Sequence, residues 1–168
     1  MSDVVRYKWI LGIDPSFGAT GAVLLSSKGK YLDGIVCSSY SDWDRETRMF
    51  NIANDVMNLV GDRKGSVLVC LEDNHFTGGR SAQSALTQRE LIGFLAGTVV
   101  QVLDCSVVRV APTSAKKTMT GSGKSGKDAM VEVAARTIGG LTEAPKRSQE
   151  ALADALAVAL AGMEKISD

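Results

Sequence analysis

The sequence is poor in the residues that build zinc sites and disulfide frameworks. Its 168 residues include one histidine, His75, and three cysteines, Cys37, Cys70 and Cys105. No two cysteines form a CxxC pair and none lies near the histidine, so the composition argues against a zinc site. Because each cysteine stands in or beside an apolar run, we interpret all three as reduced, buried side chains.

Long apolar runs and net charge are also missing. No stretch of about 18 apolar residues is present, which predicts that the chain has no transmembrane helix. The opening segment MSDVVRYKW carries charges and lacks the apolar region of a secretory signal, so we expect a cytoplasmic protein. The 19 basic and 19 acidic residues cancel, and the bulk charge therefore gives no indication of a nucleic-acid partner.

The charges are nevertheless distributed unevenly along the chain. Residues 106–147 contain eight basic and three acidic residues, and the rest of the chain has the matching acidic excess. This distribution is typical of a phosphate-binding surface beside a cation-binding site. The alternative interpretation is an uneven solvated surface without a partner.

One stretch of the basic segment, TMTGSGKSGKDA at residues 118–129, has the glycines and lysines of an ATP-binding phosphate loop. The pattern GxxxxGK[ST] fails in both possible registers, because Asp128 replaces the hydroxyl residue in one and Thr118 replaces the first glycine in the other. The preceding residues also predict a helical turn, whereas a P-loop follows a buried strand. We therefore expect no nucleotide cofactor, and the remaining interpretations are a phosphate-contacting segment or a surface turn.

The order of the predicted elements indicates an α/β fold in one domain, residues 1–168. Short turns join the first three strands as antiparallel hairpins, whereas helices lead to the last two strands, which are therefore parallel. The expected architecture is a five-stranded mixed sheet, three strands antiparallel and then two parallel, flanked by helices. The predicted strands are 9–15, 20–27, 31–39, 66–72 and 106–112, and the predicted helices are 41–61, about 82–101, 113–120, 127–139 and 148–164.

The first predicted helix has both end signals and a regular apolar face. Ser41 or Asp42 can cap its start, and Gly61 ends it. Its apolar residues recur at helical spacing, which predicts that they pack on the sheet. These residues are Met49, Ile52, Ala53, Val56, Leu59 and Val60.

Four acidic residues are placed where a shared cation would explain them. Asp14 and Glu72 close two predicted strands, although a single acid there is often only the first loop residue. Asp154 lies inside an alanine- and leucine-rich helix, and Glu150 can share its face from four residues earlier. The helix dipole is an alternative explanation for Glu150, which falls in the first predicted turn. Carboxylates converging in a cleft would select Mg²⁺ or Mn²⁺, and two such ions can promote phosphodiester hydrolysis.

Four segments in this order resemble the RuvC family of Holliday-junction resolvases, which have the RNase H-like fold. The segments are LGIDPSFGATGAVLL, LVCLEDNHF, TSAKKTMTGSGKSGKDAMV and EALADALAVAL. The resemblance implies a homodimer, in a bacterial cell or a phage-infected host, that nicks four-way DNA junctions in symmetric pairs using Mg²⁺ or Mn²⁺. It implies that Asp14, Glu72 and Asp154 are metal ligands, that Lys116 and Lys127 match family lysines, and that Lys127 lies beside the scissile phosphate.

The resemblance also assigns DNA contacts outside the acidic set. The glycine-and-lysine segment looks like the part of the family that meets the DNA backbone, so we expect Lys116, Lys117, Lys124 and Lys127 to bind phosphate. Relatives carry an aromatic wedge shortly after the position of Glu72. Here Phe76 is the expected match, with His75 beside it and Arg80 available for phosphate.

The sequence departs from the family at the fourth acid. Family members have an acidic residue three positions before the one that matches Asp154, and Ala151 stands there. Glu150 is the expected substitute and is included in the predicted catalytic and metal-binding set. Asp73 or a water molecule are alternatives.

Three other functions fit parts of the pattern. An actin-like or sugar-kinase ATPase shares the fold but needs a second, duplicated domain, for which the chain is too short. An RNase H-like nuclease acting on other branched DNA is closer, because a fold does not determine its substrate. A junction-binding protein without cleavage would follow if Ala151 has disrupted the metal site.

Overall fold

The computed structural model describes residues 7–37, 39–73 and 81–167. A five-stranded sheet has the strand order β3-β2-β1-β4-β5. The first three strands pair antiparallel, and β4 and β5 extend the sheet in parallel from β1, which confirms the predicted mixed sheet. The strands are β1 (Trp9–Asp14), β2 (Thr20–Ser26), β3 (Tyr31–Cys37), β4 (Val67–Glu72) and β5 (Ser106–Val110).

Helices cover both faces of this sheet. α5 packs on β1 and β2 together with α3 and α4, whereas α1 and α2 cover the opposite face. The three central strands are almost wholly buried because both of their faces are covered. The helices are α1 (Arg45–Val60), α2 (Ala82–Leu103), α3 (Pro112–Thr120), α4 (Lys127–Ala135) and α5 (Lys146–Ser167).

Glycines allow α5 to lie unusually close to the sheet. A Cβ atom on Gly12 of β1 would collide with the main chain of α5 at Ala155, and one on Gly21 of β2 would collide with the carbonyl of Ala151. From the helix side, a Cβ on Gly162 would meet the side chain of Cys70 in β4. Backbone-to-backbone packing at Gly12 and Gly21, together with the contact of Gly162 with the Cys70 side chain, positions α5 against the three central strands.

The helix boundaries correct several predictions, and α4 ends at Ala135, four residues earlier than predicted. α1 begins at Arg45 and is capped by Asp44, whose carboxylate accepts a hydrogen bond from the Thr47 amide at 2.7 Å. The predicted caps Ser41 and Asp42 are therefore wrong, because the chain does not become helical until after Asp44. The end at Gly61 and all six predicted core residues of this helix are confirmed. α5 begins two residues earlier than predicted, at Lys146, and Glu150 therefore lies beyond its first turn.

Within the described ranges, no helix combines the length and the apolar character that a membrane span requires. Cys37 and Cys70 are buried free thiols, and Cys105 is half-buried. Burial raises the pKa of Cys37 and that of Cys70 to about 12, so both remain protonated at neutral pH. The predicted burial is confirmed for Cys37 and Cys70 but not for Cys105.

Candidate active site

Two acidic residues end neighbouring parallel strands. β1 and β4 pair in register up to Ile13 and Leu71, so Asp14 and Glu72 follow at the same edge of the sheet. Both residues are half-buried. This edge is where ligand sites form in sheets with parallel strands, and the predicted proximity of the two acids is confirmed.

α5 brings two more carboxylates to this edge. Glu150 and Asp154 are one turn apart on the helix face that points to the cleft, and their side chains are 23% and 20% exposed. The contact of Gly21 with Ala151 seats this turn of α5 directly on the sheet. Because this turn packs directly against the strand, both carboxylates have defined positions relative to the strand ends.

The four acids line one open cavity of about 690 Å³. Its walls come from the loop between β1 and β2, the start of α2, the first residue of α4 and the N-terminal half of α5. Gln88 of α2 closes one side by donating a hydrogen bond to the carbonyl oxygen of Pro15. The charged residues of the lining are Asp14, Glu72, Glu150, Asp154, Lys127 and Arg147.

Lys127 reaches into this cavity from the first position of α4. Its Nζ atom lies 3.2 Å from Oε2 of Glu150 and 3.4 Å from Oδ2 of Asp154. Burial lowers the pKa of this lysine, but the two carboxylates outweigh that effect and raise it. The ammonium form is therefore maintained, and the site contains a cation supplied by the protein itself.

The pKa of Asp154 is clearly shifted by its surroundings. Burial raises its pKa above the ordinary value of 3.8, and the positive charges of Lys127 and Lys116 offset only part of this shift. A further positive charge in the cavity would favour the ionised form of this carboxylate.

The glycine-rich segment connects two helices. α3 ends at Thr120, and Gly121 adopts the left-handed conformation with φ of 82°, which favours glycine. The turn is closed by a 2.6 Å hydrogen bond between the hydroxyls of Thr120 and Ser125, after which Gly126 precedes α4. A P-loop joins a strand to a helix, so the structure confirms that the segment is not one.

The structure brings together some of the predicted DNA contacts but not others. Lys127 lines the cavity, and Lys116 is close enough to lower the pKa of Asp154. Lys117 and Lys124 are exposed and do not line it. The predicted residues Phe76 and Arg80, with the neighbouring His75, lie outside the described residues.

The chemistry of the donor set fits a hard divalent cation, since four carboxylates face one cavity. In the ranges 7–37, 39–73 and 81–167, no three acidic, histidine or cysteine side chains are arranged to hold a metal ion. Two of the four carboxylates instead hold the ammonium of Lys127. Asp73, the alternative to Glu150, does not line the cavity.

Arg147 was not among the predicted site residues, although it lines the cavity. It lies three residues before Glu150, so helical spacing places the two side chains on one face. The prediction that α5 begins at residue 148 left Arg147 outside the helix and concealed this spacing. Its guanidinium lies against Gly18 in the loop between β1 and β2.

Comparison with known proteins identifies the family of this chain. The family model described as crossover junction endodeoxyribonuclease RuvC matches residues 10–162. The chain belongs to the RuvC family. A RuvC from Prochlorococcus marinus is 31% identical over 159 residues, covering 92% of this chain and 97% of the relative. A RuvC from Caldicellulosiruptor saccharolyticus is 27% identical, covering 90% and 89%.

Solved structures of RuvC proteins share the fold. The Thermus thermophilus RuvC structure superposes with a TM-score of 0.73 at 23% identity, covering 95% of this chain and 96% of the other. The T. thermophilus RuvC in complex with Holliday junction substrate gives 0.72 at 22% identity, covering 92% of both chains. The RNase H-like architecture expected from the resemblance to RuvC is therefore confirmed.

Proposed function

We propose that this chain is an endodeoxyribonuclease that resolves four-way DNA junctions by paired hydrolysis of phosphodiester bonds. The observation that supports this proposal most directly is the convergence of Asp14, Glu72, Glu150 and Asp154 with Lys127 in one open cleft. Membership of the RuvC family supplies the substrate class. The T. thermophilus relative forms a complex with a Holliday junction substrate, as this chain would.

The proposed cofactor is Mg²⁺ or Mn²⁺, with two ions in each active site. Asp14, Glu72, Asp154 and Glu150 would hold them through carboxylate oxygens, which these ions prefer. When bound, such ions supply Lewis-acid stabilisation of the charge that develops on the reacting phosphate. Asp14 and Glu72 contribute from the rigid strand ends, and the α5 carboxylates contribute from the opposite wall.

The residues of the chain itself would position the phosphate and stabilise charge. Four carboxylates repel a DNA strand, so an approaching phosphate needs positive side chains in the same cleft. Lys127 provides one within hydrogen-bonding distance of two of the acids. Released from Glu150 and Asp154, its ammonium can contact a non-bridging or leaving oxygen of the phosphate and stabilise its negative charge.

Paired symmetric nicks require two copies of the site, and α2 offers a face for a homodimer. Leu86 and Val100 are 62% and 49% exposed, and Gly93 and Gly97 lie between them on the same face with open space over both. Apolar residues interrupted by glycines allow two helices to approach closely. Val100→Glu should therefore convert a dimer into a monomer in sedimentation analysis, whereas Thr98→Glu, on another side of α2, should not.

The decisive experiment presents the protein with fixed four-way junctions, three-way junctions, flaps and linear duplexes. Products are resolved on a denaturing gel with and without Mg²⁺. Symmetric nicks confined to the four-way junction and dependent on the metal support the proposal. Equal cutting of the other branched substrates would point to a nuclease of broader specificity. Binding of the junction without any cut product would point to a protein that recognises but does not resolve it.

A further inference from the structure

Arg147 is a cationic side chain in the cleft whose charge has no partner among the residues that the structure describes. It is exposed, and it makes no ion pair or hydrogen bond with any residue in the described part of the chain. Lys127, the other basic residue of the lining, is engaged by Glu150 and Asp154. Arg147 does not pair with Glu150, although the two lie three residues apart on α5.

The structure places the guanidinium of Arg147 at the edge of the cleft, against Gly18. A Cβ atom on Gly18 would collide with Nη2 of Arg147, so an alanine at position 18 would displace the guanidinium at the end of this flexible side chain. Arg147 and Asp154 are seven residues apart, which is about 10 Å along a helix. The guanidinium lies against Gly18, in the loop that follows Asp14 and forms one wall of the cleft.

We infer that Arg147 binds a backbone phosphate next to the one that is cut, and so positions the strand across the carboxylates. This inference rests on the proposed function. A planar guanidinium can form two parallel hydrogen bonds to phosphate oxygens, which fixes direction as well as position. Lys127 and Arg147 then provide two positive charges in the cleft, which offset part of the repulsion between the DNA strand and the four carboxylates.

The test compares junction binding by Arg147→Ala, Arg147→Lys and Arg136→Ala. Arg136 is the matched control because it is exposed, is paired with Glu132 and lies outside the cleft. Binding is measured in EDTA over a series of salt concentrations. Arg147→Ala should weaken affinity roughly five- to tenfold, and the slope of log affinity against log salt should flatten by about one unit. The affinity of Arg147→Lys should lie between those of Arg147→Ala and the wild type. The affinity of Arg136→Ala should match that of the wild type.

A second variant tests whether the loss of junction affinity arises from the guanidinium of Arg147. Gly18→Ala should displace the Arg147 side chain and weaken binding, but it should have no further effect in an Arg147→Ala background. Junctions carrying single neutral methylphosphonates near the cut site should identify one phosphate whose neutralisation weakens the wild type and not Arg147→Ala. A salt slope unchanged in Arg147→Ala, or additive losses for the two substitutions, would overturn the inference.

This experiment separates the inference from the proposed function. If the wild type cuts junctions and Arg147→Ala binds as Arg136→Ala does, only the role of Arg147 is wrong. If the wild type binds without cutting in Mg²⁺, the cleavage proposal fails, and the salt slopes still decide the role of Arg147. If the wild type binds no junction, both proposals fail.

Discussion

The ammonium of Lys127 lies 3.2 Å from the carboxylate of Glu150, across the boundary between α4 and α5. It also lies 3.4 Å from the carboxylate of Asp154. These acids are two of the four proposed metal ligands, so a lysine and a divalent ion would compete for the same oxygens. Entry of the ion would then release the lysine toward the substrate.

Replacing Lys127 by alanine should therefore have opposite effects on metal binding and on catalysis. Affinity for Mn²⁺, measured by calorimetry without DNA, should increase several-fold because the competing ammonium is gone. The single-turnover rate of nicking should fall roughly 100-fold, as expected for the loss of a group that stabilises charge in the transition state. Lys124→Ala, in the same exposed segment, should change neither quantity and should only weaken junction binding. Weaker binding by Lys127→Ala at an unchanged single-turnover rate would exclude a catalytic role.

Asp14→Asn, Glu72→Gln and Asp154→Asn should each reduce nicking at least about 100-fold while leaving junction binding largely intact. Each change removes a charged oxygen ligand with little change in shape, so the loss would be specific to metal-dependent chemistry. Glu132→Gln, a change at an exposed acid on α4, is the matched control. Near-normal nicking by any of the three variants would remove that residue from the proposed metal site.

Glu150→Gln should lose less nicking activity than the variants of Asp14, Glu72 and Asp154. The size of the loss should depend on the concentration of Mg²⁺. Glu150 lies beyond the first turn of α5. The helix dipole therefore explains the presence of an acidic residue at this position less well than the contact with Lys127 does. Its removal should raise the concentration of Mg²⁺ needed for half-maximal nicking, with partial recovery at high Mg²⁺. An unchanged Mg²⁺ titration would show that Glu150 does not replace the acid missing at Ala151.

Asp154→Asn should stabilise the metal-free protein at neutral pH. Burial raises the pKa of Asp154 above 3.8, so the folded protein binds this proton more tightly than the unfolded chain does. The ionised carboxylate therefore destabilises the fold at pH 7, and this penalty disappears as the pH falls through the raised pKa toward 3.8. The melting temperature in EDTA should exceed that of the wild type at pH 7, with a smaller difference at pH 4. A lower melting temperature for Asp154→Asn at pH 7 would contradict the raised pKa.

Gly21→Ala should destabilise the protein and disturb the site together. Its added methyl group would collide with the carbonyl of Ala151, a backbone atom that cannot move aside independently. Overpacking of this kind costs about 1–3 kcal/mol in the free energy of unfolding. Urea denaturation should show this loss, and nicking should fall in the remaining folded protein because α5 shifts. Gly139→Ala has open space around its new methyl group and should change neither measurement.

Much of the fold could be predicted because the local signals agree with the tertiary structure. The helical spacing of the apolar residues in α1 identified all six of its buried positions. Asp14 and Glu72 could be placed together because parallel strands end at a common edge. The cap of α1 was harder to predict, since Ser41, Asp42 and Asp44 are all competent capping residues and local sequence does not distinguish among them.

The contacts across the cleft could not be predicted from spacing alone. Lys127 and Asp154 are 27 residues apart, and their approach depends on how α4 packs against α5. Arg147 could have been found if the start of α5 had been placed correctly, because the spacing to Glu150 is regular. Its contact with Gly18 depends on the path of a loop, which no periodic pattern encodes.

The glycines beneath α5 have a consequence for how this protein can evolve. Gly12, Gly21 and Gly162 touch no substrate in the proposed function, yet each occupies a position where even a methyl group would separate the helix from the sheet. In a saturation library selected for resolvase activity, these three positions should tolerate as few residues as the carboxylates do. Sequence drift in descendants of this chain should therefore concentrate on the solvent side of α5, while the glycine side stays nearly constant.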